Sequence, residues 1–383
     1  MPRRVTLLAH TDTPHAQASL PARAAPRALL FLPVETFEPV GQSARPVIGK
    51  AGSLSLNGTG AGDGFLAVDS GGSGLRVVIG VPGRGTTAPR TSRVPVRTGP
   101  RGIDPGHLME QLVPLVRALE PEAGVSRLGT AVVGAAGMAT LGDALRAELP
   151  TALEREFGVR TVALVADAVT AYTGALGPRP GAVVAAGTGL VAIGTDLTSW
   201  RRADGWGHLL GDCGGGAWIG RAGLEAALRA HDGRPGGSAA LLARAEESFG
   251  PVRELPGRLY PRADRPAVLA SFAPRVADCA ESDPVARGIL REAARHMADS
   301  AAAVCPAEGQ AHVSLTGGLF RMGAALLVPL EEELERRLPH ARRVPAAGGP
   351  LDGSVQIATE LAHNALDLPH DEAMLYVVTP KRG

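Results

Sequence analysis

The chain has 383 residues, and its 39 basic and 38 acidic side chains nearly balance, which argues against nucleic acid or another polyanion as the main partner. Aromatic residues make up 3% of the chain, too few for platforms that stack bases. The length accommodates two or three domains, and the lack of a long uninterrupted apolar run predicts a soluble protein without a membrane-spanning helix.

The three cysteines, Cys213, Cys279 and Cys305, are widely spaced and form no CxxC pair. Zinc and iron–sulfur sites usually take their ligands from closely spaced cysteines, so neither is predicted here. Isolated thiols in odd number are typical of a reducing compartment, and we therefore expect a cytoplasmic protein.

Residues 1–62 are rich in Ala, Pro, Arg, Gly and Ser. Such a composition offers little apolar surface for a core of its own. We predict a low-complexity N-terminal extension, with the first domain beginning at residue 63.

The stretch Phe65–Gly80 reads as a buried strand, a glycine turn and a second strand, with Asp69 at the end of the first strand. Small residues at the tip of a hairpin let backbone N–H groups approach a phosphate closely, and a carboxylate beside such a turn can hold Mg²⁺. An ordinary hairpin with a turn-capping aspartate is the alternative. The residues at the tip are Ser70, Gly71, Gly72 and Ser73.

The next segment alternates strands and helices. A third strand is predicted around Val94 and Val96, and Asp104-Pro105 begins a helix that extends through Leu119. The remaining predictions are a strand over 130–137, a helix over 141–157, a strand over 159–165 and a helix after Asp167. This β-β-β-α-β-α-β-α order indicates a mixed sheet flanked by helices.

The second half of the chain repeats this arrangement. Residues 180–194 form another strand–turn–strand pattern around Gly-Thr-Gly, and residues 205–220 are again rich in glycine. Further predictions are helices over 221–231, 267–280, 284–304, 326–338 and 351–366, one short helix within 232–265, and a strand over 312–320 that contains a Gly-Gly turn. Two copies of one hairpin indicate a duplicated architecture with a ligand between the halves.

The order of these motifs resembles that of the actin, sugar-kinase and acetate-kinase superfamily, and most closely that of the BadF/BcrA and N-acetylglucosamine kinase family. The most specific feature is GWGHLLGD, Gly205–Asp212, which is similar to the sugar-binding loop of those kinases. The resemblance covers residues 64–366. It implies an α/β, two-lobed actin-like (ribonuclease H-like) ATPase fold with duplicated mixed sheets and a ligand cleft between the lobes. The lobes would be 63–175, completed by the helix 351–366, and 176–350.

The resemblance also implies roles for individual residues. Asp167 would be the base that accepts the proton of a sugar hydroxyl, although it could instead cap the following helix. Asp69 would hold Mg²⁺, and ATP would contact Ser70, Gly71, Gly72, Ser73, Thr188, Gly189, Gly317 and Gly318. The sugar would contact Asp212, Gly205, Asp204 and Gly137. Turn residues with no ligand are the alternative for the glycines and for Asp212.

The sugar is predicted from a departure from the family pattern. N-acetylglucosamine kinases place an Asn and a Trp after the first hairpin, whereas residues 80–102 contain neither. The DCGGGAWIG run that begins at Asp212 is similar to that of actinobacterial kinases of free glucosamine. The resemblance therefore implies phosphorylation of glucosamine on its 6-hydroxyl, and a homodimer by analogy with relatives.

Two alternatives remain at this point. One is an N-acetylglucosamine kinase. The other is an ATP-driven activator of the BadF type, which transfers electrons and needs cysteines that hold an iron–sulfur cluster. Cys213, Cys279 and Cys305 do not have a spacing that favours it.

Overall fold

The computed structural model describes residues 63–72 and 74–379. The predicted extension over 1–62 and the predicted phosphate contact Ser73 lie outside the described residues.

Within the described part of the chain, fourteen strands alternate with helices. The strands are β1 (Asp63–Gly71), β2 (Gly74–Val81), β3 (Gly85–Thr86), β4 (Arg90–Ser92), β5 (Thr98–Gly99), β6 (Gly102–Ile103), β7 (Arg127–Ala135), β8 (Thr161–Ala166), β9 (Gly181–Ala186), β10 (Leu190–Thr195), β11 (Trp200–Asp204), β12 (His312–Thr316), β13 (Arg342–Arg343) and β14 (Leu375–Val378).

The α-helices of the same residues are α1 (Pro105–Ala123), α2 (Met138–Leu141), α3 (Asp143–Phe157), α4 (Asp167–Leu176), α5 (Gly216–His231), α6 (Ala239–Phe249), α7 (Leu255–Leu259), α8 (Arg265–Ala270), α9 (Ala273–Cys279), α10 (Pro284–Val304), α11 (Ala324–Arg337) and α12 (Pro350–Ala362). Two short 3₁₀ helices cover Val252–Glu254 and Gly318–Met322.

The first sheet is mixed and has the strand order β14-β8-β7-β1-β2-β3, with β4 paired to β2. Strands β1, β7 and β8 are parallel, whereas β2 runs antiparallel to β1. In this register Asp69 lies opposite Arg76 on β2 and Gly134 on β7. The hairpin with Asp69 therefore borders the parallel strands that lead to Asp167.

The second sheet repeats the same arrangement with the order β11-β10-β9-β12-β13. Strands β9, β12 and β13 are parallel, and the β9–β10–β11 meander is antiparallel, like β1–β2–β3 in the first sheet. The duplication predicted from the two hairpins is thus present in the topology of both sheets.

Helix α1 shows how local sequence selects these elements. The carboxylate of Asp104 accepts a hydrogen bond from the backbone N–H of His107, and Pro105 occupies the first turn, where its missing N–H costs nothing. The buried face carries Leu108, Leu112, Val116 and Leu119 at helical spacing and packs on β2. Gly124, at φ 60°, ends the helix.

Helix α4, which begins at Asp167, lies in the interior of the protein. It packs against α12 and contacts β9, β10 and β12 of the second sheet. The two helices approach so closely that a Cβ at Gly174 would overlap the carbonyl of Gly349, and one at Gly353 would overlap the carbonyl of Thr170. Every residue of α4 after Asp167 is buried, so the position of the Asp167 backbone is tightly constrained.

The structure corrects several predicted boundaries. Val94 and Val96 are not in a strand, because the strand that pairs with β2 is Arg90–Ser92. The helix predicted over 141–157 is divided into α2 and α3 at Gly142, and the one over 267–280 is divided into α8 and α9 at Ser271-Phe272.

The segment 232–265 is more helical than predicted, since it contains α6 and α7. The final predicted helix ends at Ala362, and β14 follows it and pairs with β8. Among the described residues, the structure has no helix with the length and apolar character needed to cross a membrane.

Candidate active site

A cavity of about 400 Å³ lies at the carboxyl ends of parallel strands from both sheets. Gly137 follows β7, Asp167 follows β8, Gly187 follows β9 and Gly317 follows β12, and all four line the cavity. The carboxyl ends of parallel strands are where open α/β sheets bind their ligands. The cavity is therefore the first candidate for a ligand site.

Asp167 is partly exposed to this cavity at the first position of α4. Its Oδ1 accepts a hydrogen bond from the N–H of Ala168 at 2.9 Å. Burial, together with the negative charge of nearby Asp69, raises the pKa of Asp167 to about 6, although that hydrogen bond and the positive charge of Arg202 act to lower it. A carboxylate with such a pKa can accept a proton near neutral pH.

Asp69 lies beside the cavity rather than in its lining. It is 8% exposed, and Arg76 on the neighbouring strand donates from Nε to its Oδ2 at 3.0 Å. Ser70 is buried and uses its carbonyl to accept from the N–H of Ala136, whereas a Cβ added at Gly71 or Gly72 would meet none of the described residues within 4 Å. Among residues 63–72 and 74–379, nothing occupies the space beside these two glycines, and a ligand could fill it.

The second hairpin contributes to the cavity directly. Gly187 and Gly189 line it, while Thr188 is exposed between them. The first N–H groups of α5 donate to the carbonyls of Gly187 and Thr188, which holds the turn against the helix. Beyond β12, Gly317 lines the cavity and Gly318 is exposed at its edge.

The glycine-rich loop Gly205–Asp212 presents the carboxylate of Asp212 to the cavity, whereas the carboxylate of Asp204, the residue before the loop, bonds to backbone N–H groups. Asp212 lines the cavity, and its Oδ1 accepts from the N–H of Gly207 at 3.0 Å. Burial raises the pKa of Asp212, and the charge of Asp204 adds to this effect. Asp204 is outside the cavity lining, and its two oxygens accept from the N–H groups of Asp212 (2.6 Å) and Cys213 (2.8 Å).

The predicted site residues therefore fall into two groups. Those in the cavity lining are Gly137, Asp167, Gly189, Gly205, Asp212 and Gly317. Those outside the lining are Asp69, Ser70, Gly71, Gly72, Thr188, Asp204 and Gly318.

Arg202 is a cavity residue that the sequence analysis missed. It projects from β11, and its guanidinium donates to the carbonyls of Asp204 and Gly205 and lies 4.7 Å from the ring centroid of Trp206. Residues 200–204 are Trp-Arg-Arg-Ala-Asp and show no alternation of apolar and polar side chains, so the sequence carried no signal for it.

The segment 80–102, which motivated the prediction of glucosamine, contributes no residue to the lining of this cavity. Pro100, Arg101 and Gly102 line a separate depression that reaches the cavity through Thr140. Because no residue of this segment lines the cavity, its lack of Asn and Trp does not change which side chains line it.

The donor set is compatible with a nucleotide and one Mg²⁺. Open space at Gly71 and Gly72 provides room for phosphate groups against backbone, and Mg²⁺ keeps several waters and needs only one or two carboxylates. Asp69, near the end of β1 and two residues before Gly71, is the carboxylate that the sequence analysis assigned to Mg²⁺.

Most of the described chain is similar to known proteins. Residues 66–348 match the BadF/BadG/BcrA/BcrD ATPase family. Over 149 residues the chain is 33% identical to the N-acetylmuramic acid/N-acetylglucosamine kinase of Clostridium acetobutylicum, an alignment that covers 37% of this chain and 48% of that protein. The match thus spans about half the length of that relative.

Two solved structures show the same fold. A protein of Chromobacterium violaceum described as a candidate N-acetylglucosamine kinase is 25% identical with a TM-score of 0.58, over 76% of this chain and 98% of that one. The ROK family glucokinase of Streptomyces griseus, solved with glucose and AMPPNP, is 20% identical with a TM-score of 0.50, over 79% and 99% of the two chains. The predicted two-lobed actin-like fold is confirmed. The match over residues 66–348 shows that this chain belongs to the BadF/BadG/BcrA/BcrD ATPase family.

Proposed function

We propose that this protein is an ATP-dependent amino-sugar kinase that transfers a phosphoryl group to the 6-hydroxyl of glucosamine. The observation that carries the proposal is that Asp167, Asp212 and the turn of the second hairpin line one cavity. This combination supplies a base, a carboxylate for a polar substrate and backbone for phosphates within one site.

Asp167 is the proposed base. Phosphoryl transfer depends mainly on positioning and on stabilisation of charge, and a carboxylate near the acceptor takes up the hydroxyl proton as the new P–O bond forms. With a pKa of about 6, Asp167 is ionised at neutral pH and is still basic enough for this transfer. Its fixed place at the start of the buried helix α4 holds the carboxylate in one position.

ATP is the proposed phosphoryl donor, with its phosphates between the two hairpin turns. Mg²⁺, when bound, would neutralise charge on the phosphates, and Asp69 is the proposed ligand. Both hydrogen bonds from Arg76 go to Oδ2 of Asp69, so Oδ1 is the oxygen proposed to face Mg²⁺.

Asp212 is the proposed sugar contact. Oδ1 accepts from the N–H of Gly207, and the remaining acceptor capacity of the carboxylate suits hydroxyl groups or an ammonium. An ammonium at C2 of glucosamine would gain a charge-assisted contact that an N-acetyl group cannot make. The names of the relatives support N-acetylglucosamine as the alternative substrate.

The test is a coupled assay of ADP formation with glucosamine, N-acetylglucosamine, glucose and a no-sugar control. We expect the highest kcat/KM for glucosamine and a product whose ³¹P signal couples to the protons at C6. A higher kcat/KM for N-acetylglucosamine than for glucosamine would make N-acetylglucosamine the substrate. ADP formation at the same rate with and without each sugar would overturn the proposal of a kinase.

A further inference from the structure

The corner at the start of the glycine-rich loop has an unusual backbone. Asp204 and Gly205 follow one another with φ values of 59° and 74°, in the left-handed region that a non-glycine residue such as Asp204 rarely adopts. Such a conformation persists only where surrounding contacts hold it. Asp212, the last residue of the loop, is also at positive φ, 54°, so an aspartate in this region stands at each end of the loop.

The side chain of Arg202 contacts this corner at three points. Its Nε donates to the carbonyl of Asp204 at 3.1 Å, and its Nη2 donates to the carbonyl of Gly205 at 2.8 Å. The guanidinium also lies over the ring of Trp206, 4.7 Å from the centroid. Because Arg202 pairs with Ile193 in the β10–β11 ladder, the contacts attach the corner to the second sheet.

The corner in turn determines where Asp212 lies. The Asp204 carboxylate accepts from the N–H groups of Asp212 and Cys213, so the two ends of the loop are tied together. Asp212 then accepts from the N–H of Gly207. A continuous set of hydrogen bonds therefore connects Arg202 to the carboxylate that faces the cavity.

We propose that Arg202 is a positioning residue for sugar binding, which acts by holding the Asp204–Gly205 corner and thereby the carboxylate of Asp212. This inference rests on the proposed function for its kinetic consequence, whereas its structural consequence can be measured without any substrate. The planar guanidinium suits the role, because it donates to two carbonyls in a fixed geometry, which the single ammonium of lysine cannot reproduce.

The experiment compares the full-length variants Arg202→Met, Arg202→Lys and Arg201→Met. Arg201 is the neighbouring residue on β11 and is exposed, so its variant is the matched control. The first readout is hydrogen exchange of residues 204–213 in the ligand-free protein. We expect about tenfold faster exchange in Arg202→Met, an intermediate change in Arg202→Lys and none in Arg201→Met.

The second readout is steady-state kinetics. We expect Arg202→Met to raise the KM for the sugar about tenfold, while the KM for ATP changes by less than about threefold. Because Arg202 also lowers the pKa of Asp167, the kinetics are measured at pH 8, well above that pKa. Unchanged exchange in Arg202→Met would overturn the proposal, and a raised sugar KM with unchanged exchange would show instead that Arg202 contacts the sugar itself. If the wild-type protein phosphorylates no sugar, the proposed function fails, and the exchange measurement still decides whether Arg202 holds the loop.

Discussion

Gly189, in the turn of the second hairpin, is in direct contact with Asp212, since a Cβ added at position 189 would overlap Oδ2 of that carboxylate. The turn proposed to face ATP and the loop proposed to face the sugar therefore meet without an intervening side chain. Group transfer requires donor and acceptor to lie within a few ångströms of each other, and this contact brings their two binding segments together.

Substitution of Gly189 by alanine tests this contact. The added Cβ should displace the Asp212 carboxylate, and we expect the KM for the sugar to rise about tenfold or more, the size of losing one charge-assisted hydrogen bond. The measurement is the sugar KM at saturating ATP. The control is Gly288→Ala on α10, where a Cβ meets nothing within 4 Å. An unchanged sugar KM in Gly189→Ala would contradict the role given to Asp212.

Replacement of Asp167 by asparagine tests the proposed base. Asparagine keeps the shape of the side chain but cannot accept the hydroxyl proton, so we expect kcat to fall by about 10²–10⁴-fold. Binding of ATP should change little, which equilibrium titration with a fluorescent ATP analogue would measure. Turnover within about twofold of the wild type would remove Asp167 from the mechanism.

The pH dependence follows from the same residue. Because the pKa of Asp167 is raised to about 6, the carboxylate is ionised above that pH and protonated below it. We expect kcat/KM for the sugar to fall about tenfold per pH unit below pH 6 and to level off above it. A profile that stays flat from pH 5 to pH 8 would disagree with this assignment.

The raised pKa of Asp167 also affects stability. Between the unfolded value of 3.8 and about 6 the folded protein binds more protons at this group than the unfolded chain, so its contribution to stability declines as the pH rises through that range. Asp167→Asn should therefore be no less stable than the wild type at pH 8, which thermal unfolding at pH 5 and pH 8 would show. A lower Tm for the variant at pH 8 would contradict this linkage.

Removal of magnesium tests the role of Asp69. We expect EDTA to abolish turnover and added Mg²⁺ to restore it, and we expect Asp69→Asn to raise the Mg²⁺ concentration for half-maximal rate about tenfold. The KM for the sugar should stay constant in this variant, because Asp69 is outside the cavity lining. Equal Mg²⁺ requirements in the variant and the wild type would exclude Asp69 as a ligand.

A buried hydrogen bond connects helix α12 to the first hairpin. Ser354 on α12 is fully buried, and its Oγ donates to the carbonyl of Val68, the residue before Asp69, at 3.0 Å. We expect Ser354→Ala to lower the free energy of unfolding by about 1–2 kcal/mol, measured with urea. The matched control is Ser271→Ala, whose hydroxyl bonds to the carbonyl of Val268 at an exposed position and whose loss should cost below about 0.5 kcal/mol.

The local sequence was sufficient for the features that depend on neighbouring residues. The hairpins at Asp69 and Thr188 follow from runs of apolar residues interrupted by glycine. Helix α10 begins at Pro284, where Asp283 caps it, and ends at Val304, as its pattern predicts. The two hairpins indicated a duplicated architecture, and each of them does start one of the two sheets. The two-lobed fold itself was predicted from the resemblance of the motif order to that of the actin-like kinases.

Other features depend on contacts between distant segments. Val94 and Val96 have the alternation of a strand, yet Arg90–Ser92 pairs with β2, since hydrogen bonding to a particular register selects the strand. Strand β14 exists because β8 offers it a free edge. Neither partner is visible in the sequence of the strand itself.

The candidate site shows the same division. Sequence alone placed Asp167 at the end of a strand and two aspartates, Asp204 and Asp212, around a glycine-rich loop. It could not determine which of these two carboxylates faces the cavity, because that depends on the positive φ values of both residues and on the hydrogen bonds that consume the oxygens of Asp204. Only the tertiary structure decided that Asp212 faces the cavity. It also placed Arg202 in the cavity lining, because the fold around a side chain sets the direction in which it points.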